Sequence, residues 1–201
     1  MKISTEKQLR ELYGYASGRA KDKVFSKLDK HAINFINKSP FLILSSSSKE
    51  GKHDASPRGG ALGFVKVISD SEIIIPDSKG NNRVDSLSNI VETGKVGLLF
   101  LVPGIDETLR INGNAYLSTD EDYLNLFITE KNPPKSCIVI FIEEVFLHCA
   151  KALMRSKLWD ESSKINRDDF PTMGQMLKDQ LGSKEAPETR EAMVERYQKD
   201  L

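Results

Sequence analysis

The chain has 201 residues, of which 39% are hydrophobic, so it can bury one core and carry a terminal extension. Its 29 basic residues equal its 29 acidic ones. This balance excludes the strongly basic surface that a nucleic acid or an anionic membrane would need, and an anionic ligand would have to be bound locally.

The N-terminal sequence MKISTEKQLRELYG has no apolar signal core, and the longest apolar run, VGLLFLV (96–102), is too short to span a bilayer. Two cysteines, Cys137 and Cys149, give no disulfide framework and are typical of a reducing compartment. We therefore expect a cytoplasmic protein that binds neither nucleic acid nor membrane.

Two helical segments are predicted first along the chain. One covers residues 5–14, and the other covers residues 23–37, where apolar residues recur at helical spacing. These apolar residues are Val24, Leu28, Ala32, Phe35 and Ile36.

Six strands are predicted next, because runs rich in β-branched and aromatic residues alternate with turn residues. The runs are FLILSSSS (41–48), GFVKVIS (63–69), SEIIIP (71–76), KVGLLFLVP (95–103), ETLRINGNAYLS (107–118) and SCIVIFIEEVFLH (136–148). Their short connections favour an antiparallel sheet that closes into a barrel, with short helices at 82–93 and 121–129. The fold class expected is mainly β (α+β), a six-stranded antiparallel β-barrel with flanking helices.

The segment IPDSKGNNRVDSLSNI (75–90) leads from a strand into an amphipathic helix. Asn81 and Asn82 stand just before the helix, where backbone N–H groups lack partners and the helix dipole favours negative charge. Lys79 and Arg83 add two cations that suit a phosphate. The segment predicts a phosphate site, although a Gly-Asn turn with solvated charges is an equally simple interpretation.

Three further stretches carry isolated cations. ASPRGG (55–60) places Arg58 beside the bare backbone of Gly59, which a planar ligand could approach closely, or it is a hairpin loop with an exposed arginine. ETLRINGNA (107–115) carries Arg110 in mid-strand, where a sheet-face residue is more common than a ligand contact. HCAKALMRSKLWD (148–160) follows the last strand and contains Lys151, Arg155 and Trp159.

Other candidate chemistry receives less support. His148 ends an apolar strand, where a structural role is commoner than proton transfer. His148 and Cys149 have no companion pair at metal-ligand spacing, so no zinc site is predicted. Glu143 and Glu144 are neighbours in a strand and should face opposite sides, which excludes a pair of cooperating carboxylates.

Taken in order, the four stretches resemble the pyridoxamine 5'-phosphate oxidase-like, FMN-binding split-barrel family. The resemblance covers about residues 40–160 and is carried by SPRG, by IPD with a following GNNR, by ETLRING and by CAKALMRSKLW. It implies a split barrel, a homodimer, and FMN at the dimer interface. The implied parts are N-terminal helices packed on the barrel (1–38), the FMN-binding split barrel (39–160) and a C-terminal helical tail (161–201).

The resemblance also implies cofactor contacts. The family's pair of cations at the FMN phosphate falls on Asn82 and Arg83, so this chain has an amide in place of one cation. The family's strand arginine falls on Arg58, and its glutamine beside the flavin falls near Thr108. Either Arg58 or Arg110 could stabilise the negative charge of a reduced flavin near N1 and O2. The full predicted set is Arg58, Gly59, Pro76, Asp77, Ser78, Lys79, Asn81, Asn82, Arg83, Thr108, Arg110, Lys151, Arg155 and Trp159.

The activity implied is that of an FMN-dependent oxidoreductase acting on an unassigned small molecule. The chain lacks the C-terminal pattern with Arg and His that holds the substrate in the true oxidases, which argues against pyridoxamine phosphate. The alternatives are a non-enzymatic flavin-binding or stress-associated protein, and a haem- or deazaflavin-using relative with the same fold.

Overall fold

The computed structural model describes residues 2–200. Eight helices in this range are numbered in chain order: α1 (Glu6–Tyr13), α2 (Arg19–Asp22), α3 (Lys30–Lys38), α4 (Asp85–Thr93), α5 (Glu121–Leu124), α6 (Lys151–Ser156), α7 (Met173–Leu181) and α8 (Arg190–Gln198). Short 3-10 turns cover Asn125–Phe127, Glu161–Ser163 and Arg167–Asp169.

Seven strands form one sheet in the order β2-β1-β5-β6-β7-β4-β3, and every neighbouring pair is antiparallel. The strands are β1 (Phe41–Ser47), β2 (His53–Gly59), β3 (Lys66–Val67), β4 (Glu72–Pro76), β5 (Lys95–Leu101), β6 (Thr108–Ser118) and β7 (Cys137–His148). The prediction of an antiparallel, mainly β fold with flanking helices is confirmed.

The additional strand, β2, covers most of ASPRGG, which the sequence placed in a connection between strands. This stretch has proline, glycine and polar residues in place of the usual strand formers. Such a sequence is tolerated at the edge of a sheet, where one side of the backbone needs no ladder partner. β2 lies at that position, paired on one side to β1.

The main buried cluster runs through the sheet. It contains Leu42 of β1, Ile73 of β4 and Ile140 of β7, all fully buried. Strands from distant positions in the sheet order therefore share one interior, which requires the sheet to curl into a split barrel. Ile36 of α3 and Ile90 of α4 complete this core from the helical side.

The first predicted helix is confirmed, since α1 is capped by the Thr5 side chain and ends at Gly14. The second begins later than predicted, at Lys30, because the Asp29 carboxylate accepts hydrogen bonds from the first turn. Residues 23–29 form no helix, and Phe25 makes an isolated β-bridge instead. There the backbone N–H and C=O of Phe25 bond to Val145 at 3.0 and 2.7 Å, which adds this segment to the edge of β7.

The C-terminal segment returns to the barrel through its last residues. Lys131 donates to the backbone oxygen of Gln198 at 2.8 Å, and Asn132 donates to that of Lys199 at 3.4 Å. These contacts bring the end of α8 near the loop that precedes β7. Residues 2–200 contain no helix with the length and apolar character to cross a membrane.

Candidate functional site

The candidate phosphate loop, residues 77–84, joins β4 to α4. Pro76 ends β4 in a buried position, and the Asp77 N–H donates to Ser136 O at 3.0 Å. Asn81 then accepts a hydrogen bond from the Arg83 N–H at 3.0 Å, and Asn82 adopts a left-handed conformation with φ of 59°. Asparagine tolerates this conformation better than most residues, so the turn explains an amide at position 82.

Helix α4 begins directly after this loop without a side-chain cap. Its N-cap residue is Val84, whose side chain cannot accept a hydrogen bond. The N–H groups of the first turn are therefore available to an external acceptor, and the helix dipole favours one with negative charge. These are the properties expected of a phosphate site.

Both loop cations are paired with carboxylates at the surface. Lys79 bonds to Asp200 beyond α8 at 2.5 Å, and Arg83 bonds to Asp85 at 2.6 Å. The hydrogen bond and the charge of Asp85 raise the pKa of Arg83 above its usual value. Pairs this exposed contribute little to stability, so an incoming phosphate could exchange with either carboxylate at low cost.

Arg58 reaches this loop from β2. Its Nη1 donates to the Asp77 carboxylate at 2.9 Å, and both side chains are mostly buried, with 18% and 25% of their surface exposed. Its Nε is buried and makes no hydrogen bond among the described residues. A buried donor without a partner is costly, so this Nε is a donor that a further acceptor would satisfy.

A polar network holds α4 against β1 and β2. The Ser86 hydroxyl bonds to the Asp54 carboxylate, and the buried Asn89 amide donates to Ser46 Oγ at 3.0 Å. Thr93 donates to the backbone of Ser47 at 3.2 Å. The network fixes α4 against β1 and β2 along its length. Sequence reasoning missed it because its partners are more than 30 residues apart.

Arg110 lies on the opposite face of the sheet from Arg58. Arg58 is in register with the buried Leu42, whereas Arg110 is in register with Leu99, which alternates with the buried positions of β5. Thr108 is largely buried at the start of β6. The two arginines proposed for the same position beside a flavin therefore do not meet within one chain.

The third group of predicted site residues follows β7. Lys151 and Arg155 are exposed on α6, and Trp159 Nε1 donates to Ile105 O at 2.9 Å. Pro76 pairs with Cys137 at the first residue of β7, whereas α6 follows the last. No hydrogen bond or ion pair among residues 2–200 joins this group to the phosphate loop.

The prediction that Glu143 and Glu144 face opposite sides is wrong. Glu143 bonds to Asn114 and to Lys95, and Glu144 accepts from Asn112 at 2.5 Å. Asn112 and Asn114 share one face of β6, so both carboxylates lie on that face. The cause is a β-bulge, where Glu143 is the extra residue between the register pairs formed by Ile142 and Glu144.

Residues 2–200 hold no group of three or more His, Cys, Asp or Glu side chains placed to bind a metal ion. Burial raises the pKa of the Cys137 thiol to about 11, which keeps it protonated and unreactive at neutral pH.

Residues 28–149 match the model of the pyridoxamine 5'-phosphate oxidase family, and the chain belongs to this family. Its fold is similar to that of HupZ from Group A Streptococcus, at 18% identity and a TM-score of 0.50, over 60% of this chain and 93% of that one. A variant form of HupZ gives 17% identity and a TM-score of 0.51, over 60% and 98%.

An FMN-binding protein from Syntrophomonas wolfei is also similar, at 15% identity and a TM-score of 0.45, over 58% of this chain and 88% of that one. No curated protein matches the chain.

Proposed function

We propose that the chain is an FMN-dependent oxidoreductase that acts on a small molecule other than pyridoxamine phosphate. The observation that carries this proposal is the convergence of Arg58 on the phosphate loop. A largely buried guanidinium with a free Nε, an uncapped helix and two exposed cations meet there. Membership of the pyridoxamine 5'-phosphate oxidase family supports FMN as the ligand of this anion site.

The residues present fit the phosphate of FMN. The Arg58 Nε offers a buried donor, and Arg83 and Lys79 can exchange their surface carboxylates for the phosphate oxygens. Asp77 keeps Arg58 in place from the other side of the guanidinium. When bound, FMN would supply two-electron redox chemistry, and the protein would supply its position and its electrostatic environment.

We also propose a homodimer with FMN at the interface. The outward face of the sheet is apolar near one end, where Phe41 and Leu101 pair side by side and Ile43 lies between Leu99 and Pro57. Phe41 exposes 37% of its surface. Exposed apolar faces of this kind are commonly covered by a second copy of the chain.

Pyridoxamine phosphate is not the proposed substrate. The family match ends at residue 149, so HCAKALMRSKLWD lies almost wholly outside it, together with α7 and α8. This segment lacks the Arg and His pattern that the true oxidases use for that substrate. A cytoplasmic location is proposed because both cysteines are free thiols, one of them exposed.

The cofactor is tested first. Purified or reconstituted protein should be yellow and should release FMN. Arg83→Ala should weaken FMN binding about tenfold or more, as expected for loss of a charge-assisted hydrogen bond. Riboflavin has no phosphate, and its affinity should not change. An equal loss of affinity for FMN and riboflavin would show that Arg83 does not contact the phosphate. A protein with no affinity for FMN would refute the proposal.

The reaction is tested by anaerobic mixing with NADH, NADPH and pyridoxamine phosphate. We expect a reduced nicotinamide to bleach the absorption of the oxidised flavin and pyridoxamine phosphate not to. Bleaching by pyridoxamine phosphate with release of pyridoxal phosphate would refute this expectation and assign pyridoxamine 5'-phosphate oxidase activity to the chain. A flavin that dithionite reduces but all three donors leave oxidised would favour a protein that binds FMN without turnover.

A further inference from the structure

A second group of positively charged side chains lies on the outward face of the sheet, around the ring of Phe146. The Arg110 guanidinium lies 5.6 Å from the ring centroid, and the Lys23 ammonium lies 5.5 Å from it. The His148 ring is 4.9 Å away, tilted at 60°. An aromatic ring attracts cations to its face, so Phe146 offsets part of the repulsion between Arg110 and Lys23.

These cations differ from those of the phosphate loop in having no carboxylate partner. Among residues 2–200, neither Lys23, Arg110 nor His148 forms an ion pair. Lys23 uses one N–H to bond Leu147 O at 2.5 Å, and Arg110 uses only Nε, which donates to Asn112 at 3.3 Å. Both Nη groups of Arg110 and two N–H groups of Lys23 are left for a ligand.

Two carboxylates near the cluster make their hydrogen bonds with neutral groups and form no ion pair with it. Glu144 is bonded to the Asn112 amide, which stands between it and Arg110. Asp29 lines a cavity of about 100 Å³ beside Lys23 and Phe146, but it accepts hydrogen bonds from two backbone N–H groups of α3. The charges that act on the His148 ring are those of Arg110 and Lys23, both positive.

The state of His148 agrees with these charges. Partial burial lowers its pKa, and the charges of Arg110 and Lys23 lower it further. A third positive charge is disfavoured at this place, as expected where two cations lack counter-ions. A bound anion would supply the missing negative charge and allow His148 to be protonated beside Arg110 and Lys23.

We propose that Lys23, Arg110 and His148 form a binding site for the anionic group of the substrate, a compact oxyanion of the phosphate or carboxylate type. The inference rests on the proposed oxidoreductase function and specifies its substrate class. The Arg110 fork suits either oxyanion, and Lys23 adds a point charge. The site is separate from the phosphate loop because Arg110 and Arg58 lie on opposite faces of the sheet.

The chain contains three histidines, so their imidazole signals can be followed by NMR in the intact protein. The probes are inorganic phosphate, acetate and succinate, each compared with chloride at the same ionic strength, before and after saturation with FMN. We expect a saturable shift of the His148 signal and a rise in its pKa, with His31 and His53 unaffected. The most effective probe identifies the oxyanion as phosphate or carboxylate.

The variants separate this site from a general charge effect. Arg110→Gln and Lys23→Gln should each weaken the anion response about tenfold or more. Lys66→Gln is the matched control, because Lys66 also lies above a phenyl ring, 5.4 Å from that of Phe127, and also donates to a backbone oxygen, that of Gly63. It should leave the response unchanged.

Two outcomes would overturn the proposal. One is a His148 signal that follows only ionic strength, with no saturation by any of the three anions. The other is loss of the response when FMN binds, together with loss of FMN affinity in Arg110→Gln, which would assign the cluster to the cofactor. Arg83→Ala keeps the two proposals apart, since it should weaken FMN binding without changing the His148 response.

Discussion

Replacing Arg58 by alanine tests the junction between β2 and the phosphate loop. The change removes a 2.9 Å hydrogen bond to Asp77 and leaves that carboxylate, only 25% exposed, without its cation. Exposed ion pairs contribute ~0–1 kcal/mol, and breaking a fully buried pair costs ~3–5 kcal/mol. The burial of this pair is intermediate, so we expect the free energy of unfolding to fall by ~1–3 kcal/mol.

The same change should weaken FMN binding. A hydrogen bond to a charged group contributes ~1.5–3 kcal/mol, which corresponds to an affinity about 10- to 150-fold lower. Asp77 would add to this loss, because without Arg58 its negative charge opposes the phosphate. The double variant Arg58→Ala/Asp77→Ala should therefore recover part of the free energy of unfolding and part of the FMN affinity that Arg58→Ala alone loses.

The assays are urea unfolding followed by far-UV circular dichroism and titration of the apoprotein with FMN. Lys27→Ala is the control, because Lys27 pairs with Asp70 at 2.8 Å while exposing 65% of its side chain. It should change neither measurement much. The reasoning is refuted if Arg58→Ala loses no more stability than Lys27→Ala and binds FMN as tightly as the wild type.

Three other predictions follow from the structure. Asp200→Asn removes the carboxylate that pairs with Lys79, so the FMN affinity measured by titration should rise several-fold while the riboflavin affinity stays constant. An unchanged FMN affinity would place Lys79 away from the phosphate. Gly113→Ala should lower the free energy of unfolding, measured in urea, by ~2–3 kcal/mol, because the added Cβ would collide with the backbone oxygen of Phe141. Gly80→Ala is the control, since a Cβ there meets nothing within 4 Å, and it should be nearly neutral in the same assay. The pKa of His148 is lowered in the folded protein, so the unfolded chain binds more protons at this residue. The free energy of unfolding should therefore fall as the pH drops below 6.5, the ordinary pKa of histidine, and His148→Gln should remove that part of the pH dependence.

The pattern of apolar residues along the chain was sufficient to predict most of the sheet. IIIP became β4 and VGLLFL became most of β5 because each run has more apolar residues than the surface can accept, and burial follows from hydrophobicity alone. The helix at 5–14 was predicted as well, since the cap at Thr5 and the glycine at its end act through local geometry. The candidate phosphate loop is also local, since its two cations, its turn and the start of α4 lie within ten residues, and its role as a phosphate site stays a prediction.

Interactions between distant segments decided the rest. The sequence of β2 has little strand propensity, and it is a strand only because β1 offers it a complete ladder of backbone partners. The bulge at Glu143 depends on the register between β6 and β7, so strict alternation along one strand could not reveal that Glu143 and Glu144 share a face. Curling of the sheet brought Arg58 to Asp77, and strand register placed Arg110 on the other face. The chemistry of a cation depends on its distances to the surrounding charges, and the sequence alone does not contain those distances.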